Sequence, residues 1–308
     1  MFAIGVDVGG TWTRVAAVDP SGRVLRSHRT STSTTADELI RSLIERINRL
    51  RSEIGGEPNG IGIALPGVLD EARRVVLRSV NLPFLQGRAI AGEIERATRG
   101  RVTLVRDADA AAWGEYSAMA PRPRRFVHLR LGTGVACGVI RAGRLQPTDP
   151  HRTTHWNVLI IDDGPTALPC PCGLRGCLET VASGPALEEA ARRLSLDGLR
   201  GLHEAWENGD PGAMQVVDQA ASATARAIGR IDEYLRASGT TPTDADPMVV
   251  SLGGGVIHTL PCLLERARIF CHASGPGDDG GPGVLLVESK RGDDAGVIGA
   301  VLLAIARG

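Results

Sequence analysis

Three groups of residues in this chain have the types and spacing to do chemistry. In Asp7-Val8-Gly9-Gly10-Thr11 a carboxylate ends an apolar run and bare backbone follows at once. With no Cβ in the way, the amides of such a loop can close on a polyphosphate, and the carboxylate can hold Mg²⁺ through water. The same residues also make an ordinary strand-ending turn. Gly132-Thr133-Gly134 follows a second apolar run, and the two loops taken together could clamp the β- and γ-phosphates of a nucleotide. Gly253-Gly254-Gly255 offers flat backbone for adenine or ribose to lie against, or a loop leading into a helix.

Asp107 precedes an alanine-rich segment, which places its carboxylate at a helix N-terminus. One reading is a helix cap. The other is a general base that orients and deprotonates a hydroxyl attacking a γ-phosphoryl group, a reaction that depends on positioning and charge stabilisation. The third group, Cys170-Pro171-Cys172-Gly173-Leu174-Arg175-Gly176-Cys177, puts three thiols on a bendable loop. That is a zinc pattern in search of a fourth ligand, with His151 and His155 nearby, or three reduced thiols without metal. Cys137, Cys262 and Cys271 stand alone in apolar stretches and read as inert.

Elements must position these groups. Residues 2–8, 14–18 and 24–28 read as strands of an antiparallel meander, with Asp19-Pro20-Ser21-Gly22 as a turn. Leu39, Ile40, Leu43, Ile44, Ile47 and Leu50 recur with helical spacing after Thr35, a natural N-cap with Glu38 three residues on. Residues 60–64 and 102–105 read as buried strands, delivering Leu65-Pro66-Gly67 and Arg106-Asp107 to one edge. The opening pattern then repeats: strand 126–131, loop, strand 135–140, turn. This duplication implies two α/β lobes, with ligands bound in the cleft between them. The expected lobes are residues 1–120, completed by a helix over about 293–308, and residues 121–292, which carry the cysteine loop. Helices are expected near 184–194 and 211–237, and a strand at 249–252. A dinucleotide reading of Gly132-x-Gly134-x-x-x-Gly138 fails, because that fingerprint must open a helix and residues 135–140 read as a strand.

Composition narrows the classes. The chain has 308 residues, 43% hydrophobic, and about 150 residues per domain allows two domains. A chain this long buries on the order of 75% of its extended surface, so any metal needs a local reason. Basic and acidic residues each number 35, and a net charge of zero argues against general attraction to nucleic acid or a membrane surface. No apolar run approaches the roughly 20 residues that span a bilayer, and the first ten residues lack the pattern of a signal peptide. The expectation is a cytoplasmic protein with small-molecule partners.

Asp7-Val-Gly-Gly-Thr11, Leu65-Pro-Gly67, Asn81-Leu-Pro83, Asp107-Ala-Asp109 with Gly114-Glu115, Leu131-Gly-Thr-Gly134, Cys170-x-Cys172-Gly-x-x-Gly-Cys177-x-Glu179, Gly253-Gly-Gly255 and Asp294-Ala-Gly296 resemble, in order and across nearly the whole chain, the ROK family (repressor, open reading frame, kinase). The resemblance implies an actin-like ATPase fold with ATP and Mg²⁺ in the interlobe cleft and structural Zn²⁺ on the cysteine loop. It also implies transfer of the γ-phosphoryl group to a sugar hydroxyl, commonly the 6-hydroxyl of a hexose. Asp107 matches the family's catalytic base and Glu179 an acid that contacts the sugar, while Gly67 and Asn81 fall in segments lining its pocket. Family members are commonly dimers or tetramers, and the same is implied here.

Two departures bear on the acceptor. Arg106 stands where the family usually has Asn, and Thr153-Thr154-His155-Trp156-Asn157 stands where it usually has Glu-x-Gly-His. In one register the family's Glu falls on Thr154 and its His on Asn157; in the other the Glu falls nearer His155. Either way a sugar-binding carboxylate is missing, and an unpaired buried polar group costs about 1–3 kcal/mol. The expected acceptor is therefore a modified hexose such as an amino sugar (kanosamine-like), with a C7-cyclitol or plain glucose as alternatives, contacted by Arg106, Thr154, His155 and Asn157. A sugar sensor without transfer activity is the non-enzyme alternative. A repressor would need a DNA-binding domain before residue 7, and a zinc hydrolase would need an open coordination position.

Overall fold

The computed structural model describes residues 1–70, 72, 74–146, 159–237, 247–273 and 283–306. The described residues fall into two compact units, 1–120 with 291–306, and 121–146 with 159–290.

In the first unit β1 (Ala3–Val8), β2 (Trp12–Val18) and β3 (Val24–Ser31) form the antiparallel meander. The Asp19 carboxylate closes the turn after β2 by accepting from the backbone of Ser21 and Arg23 and from the Ser21 hydroxyl, which holds its pKa down at about 2. Helix α1 (Ala36–Ile54) starts where Thr35 accepts from the Glu38 N–H, and it buries Leu39, Ile40, Leu43, Ile47 and Leu50. There follow β4 (Ile61–Leu65), a small hairpin of β5 (Val68–Leu69) and β6 (Val76–Arg78), α2 (Ile90–Thr98), β7 (Val102–Arg106) and α3 (Asp107–Ser117). The sheet runs β3-β2-β1-β4-β7. Strands β1, β4 and β7 are parallel, with Asp7 opposite Ala64 and Leu65 opposite Arg106, so all three deliver their C-terminal loops to one edge.

The second unit repeats the plan with β8 (Arg125–Leu131), β9 (Val135–Arg141) and β10 (Arg144–Leu145) as the meander. Then come α4 (Glu179–Ala182), α5 (Gly184–Arg193), α6 (Gly198–Glu207), α7 (Pro211–Ala237), β11 (Met248–Gly253), α8 (Gly255–Thr259), α9 (Cys262–Ala273) and β12 (Val284–Glu288). The order β10-β9-β8-β11-β12 is that of the first sheet, strand for strand, with β8, β11 and β12 parallel. One core joins Val127, Leu129 and Leu131 of β8 to Ala220, Ile228 and Ile231 of α7 and to Val250 and Leu252 of β11.

The chain re-enters the first unit at Arg291, and α10 (Asp294–Ile305) is buried along nearly its whole length. A Cβ added at Gly5 or Gly62 of the sheet would lie 2.2 or 2.1 Å from a carbonyl oxygen of α10. At Gly114 of α3 it would lie 2.1 Å from the Ala295 oxygen, and at Gly299 of α10 only 1.7 Å from the Ala110 oxygen. Helix α10 is thus wedged between sheet and α3 at backbone contact, a fit that only glycine permits at these four positions.

Candidate active site

The loop after β1 is braced from beneath by one residue that its sequence motif does not contain. Thr32 donates its backbone N–H to the Thr11 oxygen at 2.8 Å and its hydroxyl to the Gly9 oxygen at 2.8 Å, while Thr13 Oγ1 lies 2.9 Å from Thr32 Oγ1. Gly9 donates in turn to the Trp12 oxygen at 2.9 Å. With the carbonyls of Gly9 and Thr11 turned to these partners, the loop presents Gly10 and Thr11 to solvent. A Cβ at Gly10 would meet nothing nearer than the Asn81 Cβ at 3.9 Å, so the interior does not require glycine there. Asp7, at the end of β1, lies against α10: a Cβ at Gly296 would sit 2.3 Å from its Oδ2. A half-buried carboxylate beside exposed backbone suits a hard, oxygen-seeking cation, and Asp7 is the residue that would hold Mg²⁺.

Asp107 is not the N-cap of α3. That position belongs to Arg106, and Asp107 is the first helical residue, its Oδ1 accepting from the Ala108 N–H at 2.8 Å. The helix N-terminus favours the negative form of a carboxylate placed there. Arg106 turns its guanidinium onto its own helix, 3.3 Å from Oδ1 of the buried Asp109. Gly67, at φ +127, is demanded by the β5–β6 hairpin, since a Cβ would lie 2.2 Å from the Arg78 oxygen. That hairpin leads through Ser79 to Asn81, which is exposed beside Gly10. The structure therefore brings Asp7, Gly10, Asn81 and Asp107 to one sheet edge of the first unit.

In the second unit the 132–134 loop closes on itself, Gly132 donating to the Gly134 oxygen at 2.9 Å, and leaves Thr133 exposed. Two outside groups anchor it: Gly184 donates to the Gly132 oxygen at 2.7 Å, and Glu179 Oε2 accepts from the Val135 N–H at 2.8 Å. The three glycines after β11 divide by role. A Cβ at Gly253 would lie 2.5 Å from the Ser289 Cβ, and Gly254, at φ +99, would come within 2.2 Å of the Leu131 oxygen, so both are required by packing. Beneath them His128, 3% exposed, has its Nδ1 3.3 Å from Ser251 Oγ. Only Gly255 faces open space, and it begins α8, so the loop does lead into a helix.

The sulfurs of Cys170, Cys172 and Cys177 are buried and lie within 4.8 Å of one another, with Cys172 and Cys177 3.6 Å apart. None of the six cysteines is in a disulfide. Sulfurs around a tetrahedral zinc, each at about 2.3 Å, lie about 3.8 Å from one another, so the donor set fits zinc. Gly173 and Gly176, at φ +93 and +67, let the loop curl, and Gly176 has its Cβ position 1.6 Å from the Asp162 oxygen. Burial pushes the Cys170 thiol up to about 11 and raises Cys177 as well, so a cation would have to displace protons to bind. Burial likewise raises Cys262 to about 12 and Cys271 to about 11. Among the described residues no fourth ligand joins the cluster. His151, Thr154, His155 and Asn157 lie outside the described residues.

Residues 3–307 match the model of the ROK family. A glucokinase of Streptomyces coelicolor is 28% identical over 98% of this chain and 97% of its own length, and an N-acetylmannosamine kinase of Salmonella arizonae is 29% identical over 99% and 98%. Among solved structures, a ROK family glucokinase from Streptomyces griseus in complex with glucose and AMPPNP is similar over 100% of both chains, with a TM-score of 0.81 and 26% identity. No helix among the described residues is long and apolar enough to cross a membrane.

Proposed function

The chain belongs to the ROK family, and from that membership we propose that it is an ATP-dependent sugar kinase, moving the γ-phosphoryl group of ATP to the 6-hydroxyl of a hexose. Its two α/β units, with one strand order, are those of the actin-like ATPase fold of its structural neighbours. The observation that carries the reading is the station of Asp107. It sits at the positive end of α3, on the sheet edge that also presents Asp7 and the open Gly10 loop. By ordinary strand spacing β1 and β7, two strands apart, are separated by about 10 Å.

In this reading Asp107 accepts the proton of the acceptor hydroxyl as that oxygen bonds to the γ-phosphorus. The bond from phosphorus to the bridging oxygen breaks, and its electron pair leaves with ADP. Magnesium, when bound through Asp7, supplies neutralisation of the phosphate charge. The exposed amides of the Gly10 loop, and those about Thr133 and Gly255, are the groups to receive the nucleotide. Asn81 and Glu179 contact the acceptor. Zinc holds the cysteine loop as a structural ion.

We assign the acceptor to modified hexoses, an amino sugar of the kanosamine kind before glucose. Thr154 and Asn157, or His155, replace the carboxylate and imidazole that a standard hexose would meet. Arg106, paired with Asp109, brings little net charge toward a protonated amine. The test is ATP- and Mg²⁺-dependent phosphorylation across glucose, mannose, N-acetylated hexosamines, 3-amino-3-deoxyglucose and C7-cyclitols. Turnover is expected to favour a non-glucose acceptor and to fall about 10²–10⁴-fold in Asp107→Asn. Preference for glucose would overturn the acceptor assignment, and nucleotide binding without turnover on any acceptor would make the protein a sensor.

A further inference from the structure

We propose that Glu179 is a positioning residue for the 132–134 loop, and that through it nucleotide binding answers to the metal state of Cys170, Cys172 and Cys177. The coupling to nucleotide rests on the reading of this loop as a phosphate contact; the tie itself does not.

One carboxylate spans both features. Its Oε2 takes the Val135 N–H at 2.8 Å, at the point where the loop enters β9, and its Oε1 lies 3.9 Å from the Cys170 sulfur. The loop rests directly on it: a Cβ at Gly134 would be 2.8 Å from Oε2, so any side chain there would push the carboxylate from its present place. A charged acceptor makes a stronger bond to a backbone N–H than a neutral one does, and here it fixes the exit of a loop whose entry is held by the Gly184 N–H on the Gly132 oxygen.

Both ties come from one short stretch, residues 179–184, which leaves the cysteine cluster after a single intervening residue. That residue, Leu178, is fully buried and donates to the Leu159 oxygen at 2.8 Å, and Thr180 bonds the Cys177 oxygen through both its N–H and its hydroxyl. An ion that gathers the three sulfurs therefore fixes the start of α4 within two residues of a coordinated atom, and with it the carboxylate. Without the ion the stretch holds through its hydrogen bonds and the burial of Leu178 and Ala182, and the loop is less constrained at its exit.

The experiment compares wild type, Glu179→Ala, Glu179→Asp and Glu179→Gln, each loaded with zinc and each after chelation, with bound metal counted by mass spectrometry. Two quantities are read: amide hydrogen exchange at Val135 in the protein free of nucleotide and sugar, and the Kd for a non-hydrolysable ATP analogue with Mg²⁺ and no acceptor. Glu179→Ala is expected to speed Val135 exchange at least tenfold and to weaken the analogue about tenfold with zinc still bound. Glu179→Asp, which keeps the charge but withdraws it by one methylene, moves both in the same direction and serves if the alanine variant does not fold. Glu179→Gln, whose carbonyl can still accept the N–H, stays within about threefold of wild type. Stripping zinc from wild type is expected to reproduce the alanine effect and to add little to the alanine variant.

Unchanged Val135 exchange in the alanine and aspartate variants overturns the positioning role. Unchanged exchange on stripping zinc from wild type overturns the coupling to the cluster. If exchange responds as expected but analogue affinity does not, the claim on nucleotide binding is overturned. Failure of transfer on every acceptor, with the exchange pattern as expected, would count against the kinase and leave the tie supported.

Discussion

The two sheets share a strand order, yet their glycine loops are held by different chemistry. In the first unit the brace is Thr32, whose neutral hydroxyl and N–H come from β3's own end, one strand over in the same meander. In the second the brace is a carboxylate, Glu179, borrowed from the far side of the cysteine loop. The glycines differ accordingly. Gly10 has room for a side chain, whereas Gly134 and Gly254 are pressed against Glu179 and the Leu131 oxygen. A duplicated frame thus fixes where a loop emerges, while what stiffens it is local. A glycine in such a loop signals a ligand only where the protein leaves space above it.

That contrast can be broken by substitution. The largest effect is expected at Gly254: alanine there meets both a left-handed φ and a backbone oxygen, and should cost about 3 kcal/mol or more in denaturant unfolding. Gly255→Ala, one residue on, should leave stability within about 0.5 kcal/mol and weaken nucleotide instead. Equal losses of stability would erase the distinction between packed and open glycines. In the first unit Gly10→Ala should keep its melting temperature and raise the KM for ATP about tenfold, since the added methyl sits where a phosphate would approach; an unchanged KM would remove Gly10 from the nucleotide site. Thr32→Val removes a hydroxyl shared between the Gly9 oxygen and Thr13 and should cost about 1 kcal/mol, read by urea unfolding.

The smallest effect sharpens the second unit alone. Burial holds the Cys170 thiol protonated up to about 11, above its ordinary value of 9.0. In metal-free protein the folded state then binds more protons than the unfolded state between those values. Stability is fully present below pH 9 and falls as pH rises through 11. With zinc bound that slope should vanish, because the thiolates are already formed. Thermal unfolding at pH 8, 9.5 and 10.5, with and without chelator, checks both curves.

Much of this was legible from the residues. Apolar runs ended by glycine located β1, β8 and β11, and Thr35 with Glu38 marked the start of α1, because both signals are local. The hairpin β5–β6 escaped, at two and three residues too short to show a period. So did α2, at 9 residues, and α6 and α9. Asp107 was found as a carboxylate at a helix start, but only the structure puts it one residue inside, past Arg106. The glycines at 253–255 could be read two ways because a sequence does not show what lies above a backbone. Thr32 and Glu179 were beyond reach as braces: they act across 23 and 44 residues, through contacts no spacing encodes.

Helix α10 carries a consequence in time. It belongs to the first unit and wedges at backbone contact between its sheet and α3, yet it is synthesised after the whole of the second unit. At about 5–20 residues per second, the ribosome needs some ten to thirty seconds to make the second unit after residue 120. Throughout that interval the surface that will receive α10, including Gly5, Gly62 and the inner side of α3, has no cover. Of the two units, the one whose synthesis starts first can finish folding only after the other has been made.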